Sequence, residues 1–288
     1  MSREAWIAAM DNATADNPID VTFLIQDAFF GKGTDYNTVW HGSVALGGPD
    51  NNNCAERYNK SSFEIYQTIT GVPNSIYKMS VQGFYRYGDG AAAASARQSS
   101  ATDVEPLLAK YYINDTEASL MSIFDDPVTS SNNSTYNTSS AVSVNGTNYY
   151  LPNNMDRAAA CFGQGCYVND RIQAVVTDGT VRLGLRKTEG KSADWAIFDN
   201  VKLYYYGIDL MAIKESAMAQ WNEYNAKTVE NGDRTTYDAT LATIKSTIEN
   251  ATEEGPIGEA LKGLKPVYQI YQSSPGHLFC QGHPCVGT

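Results

Sequence analysis

Between residues 21 and 205 apolar and polar positions alternate with period two in several short segments, and after Gly207 the period lengthens to about 3.6. SFEIYQTIT sets Phe63, Ile65, Gln67 and Ile69 against Glu64, Tyr66 and Thr68. IYKMSVQGFYRYG sets Tyr77, Met79, Val81, Gly83 and Tyr85 against Lys78, Ser80, Gln82, Phe84 and Arg86. Gly71, Pro73 and Asn74 supply a turn between them, so the two strands read as a hairpin. RIQAVVTDGTVRLGLRK reads as a second hairpin, turning at Asp178-Gly179. WAIFDNVKLYYYG carries Trp195, Ile197, Val201, Leu203 and Tyr205 in phase, and VTFLIQ, from Val21, is a β-branched and apolar run. AKYYIND and SLMSIF are short strand candidates, and MDRAAACFGQG offers one or two helical turns. GDGAAAASARQSSA reads as a long mobile loop with helical potential, and residues 125–148 as a polar excursion. Many short strands without intervening helices predict a mainly β fold, an antiparallel sandwich or barrel.

Past Gly207, Leu210, Ile213, Ala217, Trp221 and Tyr224 share one helical face, and Tyr237, Leu241, Ile244 and Ile248 another. NGDR between them is a turn, giving a C-terminal αα-hairpin too small to be stable alone. It must pack on the sandwich, on a neighbouring module or on a protein partner. The expected organisation is a linker over 1–16, a sandwich over 17–207, the αα-hairpin over 208–254 and a mobile tail over 255–288.

A net charge of −11 leaves no basic surface for nucleic acid and disfavours anionic lipid. No run of eighteen apolar residues predicts membrane insertion. MSREAWIAAMDNA lacks an apolar h-region, so no export signal is expected in this sequence. Nineteen Tyr and a charged fraction of only 18% suit a secreted or cell-surface β module. CFGQGC (Cys161, Cys166) and CQGHPC (Cys280, Cys285) could each close a small disulfide or remain thiols, and Cys54 is left over.

Catalytic signatures are missing: there is no Gly-x-Ser-x-Gly elbow, HExxH helix or phosphate-cradling loop. His277, Cys280, His283 and Cys285 are borderline ligands whose spacing matches no familiar zinc finger. Asp199 falls in phase with Ile197 and Val201, so regular strand geometry points its carboxylate inward. Such a group needs a cation, an Arg or backbone donors; calcium is one answer and a β-bulge that turns it outward is the other. Trp40, Tyr58, Tyr85, Tyr87 and Trp195 fall at strand ends or in loops, where rings can stack on sugars, with Arg86, Asn153 and Asn154 to hold hydroxyls. The same rings can equally fill a core.

NPIDVTFLIQ, AERYNKSSFEIYQTITGVPNSIYKMSVQGFYRYG, LPNNMDRAAACFGQGCYVNDRIQAVVTDGTVRLGLRKT and DWAIFDNVKLYYYG resemble a module of large surface and secreted proteins of Bacteroidetes. That module is similar to galactose-binding-domain-like jelly rolls of the carbohydrate-binding kind, and the helices after Gly207 to the spacers that follow them. The resemblance implies a non-catalytic glycan-binding module or, alternatively, a structural or adhesive spacer that makes protein contacts. It also implies a structural calcium between Asp199 and the Asp27 region, although Asp27-Ala28-Phe29-Phe30 lacks the usual Glu.

Overall fold

The computed structural model describes residues 1–48, 52–126, 141–228 and 234–272. The chain divides into two compact units, one built from Met1–Thr70, Tyr77–Ala174 and Val181–Gly207. The other takes Gly71–Ile76, Val175–Thr180 and the residues from 208 on.

Strands of the first half are β1 (Ile19–Asp20), β2 (His41–Gly42), β3 (Ala55–Tyr58), β4 (Phe63–Thr70) and β5 (Ser75–Arg86). There follow β6 (Lys110–Ile113), β7 (Thr116–Ser119), β8 (Met121–Ser122), β9 (Val142–Val144) and β10 (Thr147–Tyr149). The last are β11 (Val168–Val176), β12 (Thr180–Lys187) and β13 (Trp195–Tyr205). One sheet runs β1-β13-β5-β11, with β3 also on β13 and β8 on β5; the second runs β2-β4-β12-β6-β7. All pairs with a defined register are antiparallel except β5–β8. The fold is therefore mainly antiparallel β, in two sandwich-like sheets.

Neither expected hairpin exists. β4 and β5 lie in different sheets, and so do β11 and β12. Both connections are arches that carry the chain from one sheet to the other. Gly71-Val72-Pro73-Asn74 and Asp178-Gly179 do mark reversals, but alternation is the same whichever sheet receives the next strand. Close approach within the sheets explains two strand glycines: a Cβ at Gly83 would lie 2.7 Å from the Ile197 carbonyl oxygen, and one at Gly184 2.1 Å from that of Ile65.

VTFLIQ departs from strand. Asp20 Oδ1 accepts the Thr22 N–H at 2.9 Å and diverts the chain into a 3₁₀ turn over Thr22–Leu24. The first residues are no linker: α1 (Arg3–Ala9) is capped by the Ser2 hydroxyl, and Trp6 is fully buried. Its ring meets Tyr205 at 5.6 Å and Phe23 at 6.1 Å, both edge-on. One tryptophan suffices to anchor a segment whose pattern shows no core face. Helix α2 (Tyr36–Val39) precedes β2. The alanine-rich segment forms α3 (Gly90–Gln98), opened by the Asp89 side chain on the Ala92 N–H at 2.8 Å. Helix α4 (Met155–Gly163) is capped in the same way by Asn154. The polar excursion falls largely outside the described residues; its end forms the small β9–β10 pair.

The second unit contains α5 (Leu210–Asn225), α6 (Arg234–Asn250), α7 (Glu254–Lys262) and α8 (Leu264–Gln272). Ile213, Ala217, Tyr237, Leu241, Ile244, Ile248, Ile257 and Leu264 form its core. Residues 254–272 are thus helical and not a tail. Gly263 splits them into two short helices, which erases any sustained period. Both arches belong to this unit: the Val72 N–H bonds the Gly179 carbonyl at 3.1 Å, and the Gly179 N–H bonds Asn74 Oδ1 at 2.9 Å. The Gln220 amide donates to Thr177 at 3.2 Å. Residues 273–288, with His277, Cys280, His283 and Cys285, lie outside the described residues.

Replacing Trp6 with Ala empties a fully enclosed site and is expected to destabilise the protein by about 3 kcal/mol, seen as a lower thermal midpoint in calorimetry. An unchanged midpoint would restore the linker reading of residues 1–16.

Candidate functional site

Register brings three of the sequence-chosen residues together. Trp195 opens β13, facing Arg86 at the end of β5 on one side and Tyr58 at the end of β3 on the other. Arg86 donates from Nε to the Gly88 carbonyl at 2.8 Å, from Nη2 to the Ala193 carbonyl at 3.0 Å, and from Nη1 to Asn153 Oδ1. Its guanidinium lies 5.2 Å from the Trp195 ring centroid. Burial lowers its pKa, against the pull of Tyr58, Asp89, Asp194 and Glu56. Tyr58, Arg86, Asn153 and Trp195 therefore share one end of the first sheet.

Burial separates these residues into scaffold and surface. Trp40 is 1% exposed, stacked on Phe30 at 5.1 Å, and its indole N–H goes to the Asp27 carbonyl at 3.1 Å. Tyr85 is wholly buried and donates its hydroxyl to Asp194 at 2.7 Å. Burial, then that bond, raises its pKa. Trp195 is buried edge-on against Phe84 at 5.4 Å, with its indole N–H on Glu56. Arg86 is buried too. The expectation that Trp40, Tyr85 and Trp195 offer rings to a ligand is corrected: they are buried in the core, because an aromatic that other elements can cover gains more from burial than from the rim. Tyr58 is 50% exposed, Asn153 is exposed and Tyr87 is half-buried.

Sequence reasoning missed what surrounds them. Tyr58 leads into an open groove of about 320 Å³ lined by Asn59, Lys60, Ser61, Gly190, Lys191 and Ser192. Lys191 Nζ lies 5.4 Å from the Tyr87 ring centroid, and Tyr87 borders a second groove of about 560 Å³ with Ser100, Thr102, Glu105 and Ser119. The turn bearing Lys191 is fixed from within. Lys187 and Asp194, both with no exposed side-chain surface, form an ion pair, and Asp194 also accepts the Lys191 N–H at 3.0 Å. A DW dipeptide seven residues beyond a strand lysine carries no periodic signal, so this pair was illegible. Lys187→Ala would leave the buried Asp194 charge without its cation; a loss of about 3–5 kcal/mol in denaturant titration is expected, against about 1 kcal/mol if the turn simply rearranges into solvent.

Asp199 sits where the register between β13 and β5 shifts, with Asn200 at φ +50° and the Val201 N–H on the Ala28 carbonyl at 2.9 Å. The bulge does not turn the carboxylate outward: Asp199 is 7% exposed and accepts only the Asn200 N–H, at 2.7 Å, among its described hydrogen bonds. Burial pushes its pKa up to about 7, helped by the nearby Asp27 and opposed by the Asn200 bond. Asp27, at φ +47°, accepts the Thr34 hydroxyl at 2.8 Å. Neither acid pairs with Lys or Arg among the described residues, nor do three or more His, Cys, Asp and Glu cluster there as ligands. A buried carboxylate near a second one, without a cationic partner among the described residues, is the kind of group a hard divalent ion would relieve, with backbone oxygens or water as its remaining ligands.

Folded, Asp199 keeps its proton to about pH 7; unfolded, it loses it near pH 4, so unfolding releases a proton between those values and stability falls as pH rises. With a chelator present, Asp199→Asn is expected to match wild type at pH 4 and to exceed it by on the order of 4 kcal/mol above pH 7. Parallel stability curves for the two proteins across that range would contradict the assignment.

A third groove of about 700 Å³ is lined by Pro18, Ile19, Asp20, Phe23, Ile25 and Phe29 among others, with Phe29 52% and Phe23 36% exposed. No helix among the described residues is long and apolar enough to cross a membrane. No family model matches the sequence. No curated protein matches it either. Among solved structures, the carbohydrate-binding module TmCBM61 in complex with β-1,4-galactotriose is similar at 12% identity, TM-score 0.31, over 63% of this chain and 97% of its own.

Proposed function

We propose that the first unit is a non-catalytic glycan-binding module of the galactose-binding-domain-like jelly-roll kind, working outside the cell or at its surface. The observation that carries the reading is Tyr58: a half-exposed ring at the end of β3, followed in the chain by Asn59, Lys60 and Ser61, which line a groove of hydroxyl, amide and ammonium groups. A ring so placed covers the apolar face of a sugar, while Asn59, Ser61, Lys191 and Ser192 are at hand for its hydroxyls. Tyr87 flanks the same surface through Lys191. The buried Arg86 and Trp195 hold the platform and do not touch ligand. In this reading Asp27 and Asp199 bind a structural calcium, which relieves the buried carboxylate and braces the bulge. Calcium is then expected to raise the thermal midpoint at pH 8 in wild type and not in Asp199→Asn.

A second reading, a structural or adhesive spacer, is favoured by the groove with half-exposed Phe29 and Phe23, an apolar surface suited to a protein partner. The two readings part on sugar. A glycan array followed by calorimetry is expected to find a poly- or oligosaccharide ligand, with Tyr58→Ala weakening it about tenfold at unchanged thermal midpoint. No binding to any plant, microbial or host glycan at millimolar sugar would remove the glycan reading and leave the spacer.

A further inference from the structure

The end of α4 carries two cysteines in a defined relation. Gly165, at φ +82°, terminates the helix. The Gly165 N–H bonds the Phe162 carbonyl at 2.9 Å, and the Cys166 N–H bonds the Cys161 carbonyl at 3.1 Å. These nested bonds are a Schellman motif, and its third helical residue from the end and second residue past the cap characteristically touch through their side chains. An apolar pair usually fills those positions; here both are cysteine. Cys161 is buried in the core cluster of the sheet end, and the half-buried Cys166 packs against that cluster. Both are thiols in the structure.

The segment around them is held from several sides. Gln82 Nε2 donates to the Phe162 carbonyl at 2.8 Å and to the Cys166 carbonyl at 2.9 Å. Tyr167, at φ +55°, has its N–H on Asp126 at 2.8 Å, its carbonyl on the Gly83 N–H at 2.9 Å and its hydroxyl on the Ile123 carbonyl at 2.8 Å. A backbone fixed this way keeps the two cysteines at the paired positions of the motif, and cross-linking them adds constraint mainly to the unfolded chain.

We infer that Cys161 and Cys166 form an oxidisable dithiol site that closes, by exchange with a small-molecule disulfide, into a disulfide locking the end of α4 to the start of β11. The more accessible Cys166 thiolate attacks the small disulfide, forming a mixed disulfide and expelling one thiolate. The Cys161 thiolate then attacks the Cys166 sulfur and expels the second. Two protein protons leave with the two small-molecule thiols, which carry the two electrons. Cys54 is a natural control: it is fully buried, and burial, then the charges of Asp199, Glu56 and Asp156, hold its thiol far above the usual range.

The test uses the full chain carrying Cys280→Ser and Cys285→Ser, equilibrated with oxidised glutathione, then alkylated after denaturation and cut with trypsin. Both cysteines fall in the single peptide Ala158–Arg171. That peptide is expected 2 Da lighter and unalkylated, Cys54 alkylated, and the thermal midpoint roughly 5 °C higher, reversed by dithiothreitol and absent in Cys166→Ala. Two alkyl groups on the peptide, or stable glutathione adducts on it, would overturn the inference. So would closure no faster in the folded chain than in 6 M guanidinium, because the folded loop would then confer no proximity.

Discussion

Strand β13 is paired along both edges, to β5 on one side and to β3 and then β1 on the other, and nearly all of its residues are buried. Burial on this scale makes an unpaired polar atom along the strand costly. That cost governs what surrounds it. Trp195 gives its indole N–H to Glu56, and Asp199 accepts the Asn200 N–H at the bulge. Asn200 in turn gives its amide to Gln82, whose own amide holds the end of α4. A single chain of buried hydrogen bonds thus links the middle of β13 to the helix that carries Cys161.

The same enclosure separates framework from surface at the end of the sheet that carries Tyr58. Alternation along a strand says which side chains share a face, but not whether that face is covered by a second layer. Trp40, Tyr85 and Trp195 lie at strand ends or in loops, yet all three are covered: Trp40 by Phe30, and Trp195 by the cluster around α3 and α4. Tyr58 escapes because β3 ends there and the chain turns away at Asn59, which is in the left-handed region at φ +51°. Asn114 and Asn145 adopt the same conformation. The Asn-x-Ser/Thr sequences at these three positions are therefore turn chemistry, in which asparagine tolerates a backbone most residues avoid.

Legibility followed the range of the signal. Strands β4, β5, β11, β12 and β13 were visible because each is long enough to show its period. The arches were visible as turns but not as crossings, since the destination of a strand depends on partners far along the chain. Helices α7 and α8 were hidden by brevity; a short helix over Arg3 to Met10 was legible, but its place in the core was not, because it rests on a single tryptophan. At the candidate site, Tyr58, Arg86 and Asn153 could be found by type and place. Lys187, Asp194 and Lys191 could not, because their association is made by the fold and no spacing encodes it.

Trp6 on Tyr205, Ile19 beside Tyr205, and a backbone at Gly207 so close to Ala13 that a Cβ there would lie 2.4 Å from the Ala13 oxygen have one topological meaning. The first and the last segment of the first unit meet at one spot. A polypeptide that passes through it gains a domain without gaining length between the points on either side. Such a unit can be threaded into an existing chain as a side branch, and its last strand must be synthesised before the ring of its first helix can meet Tyr205.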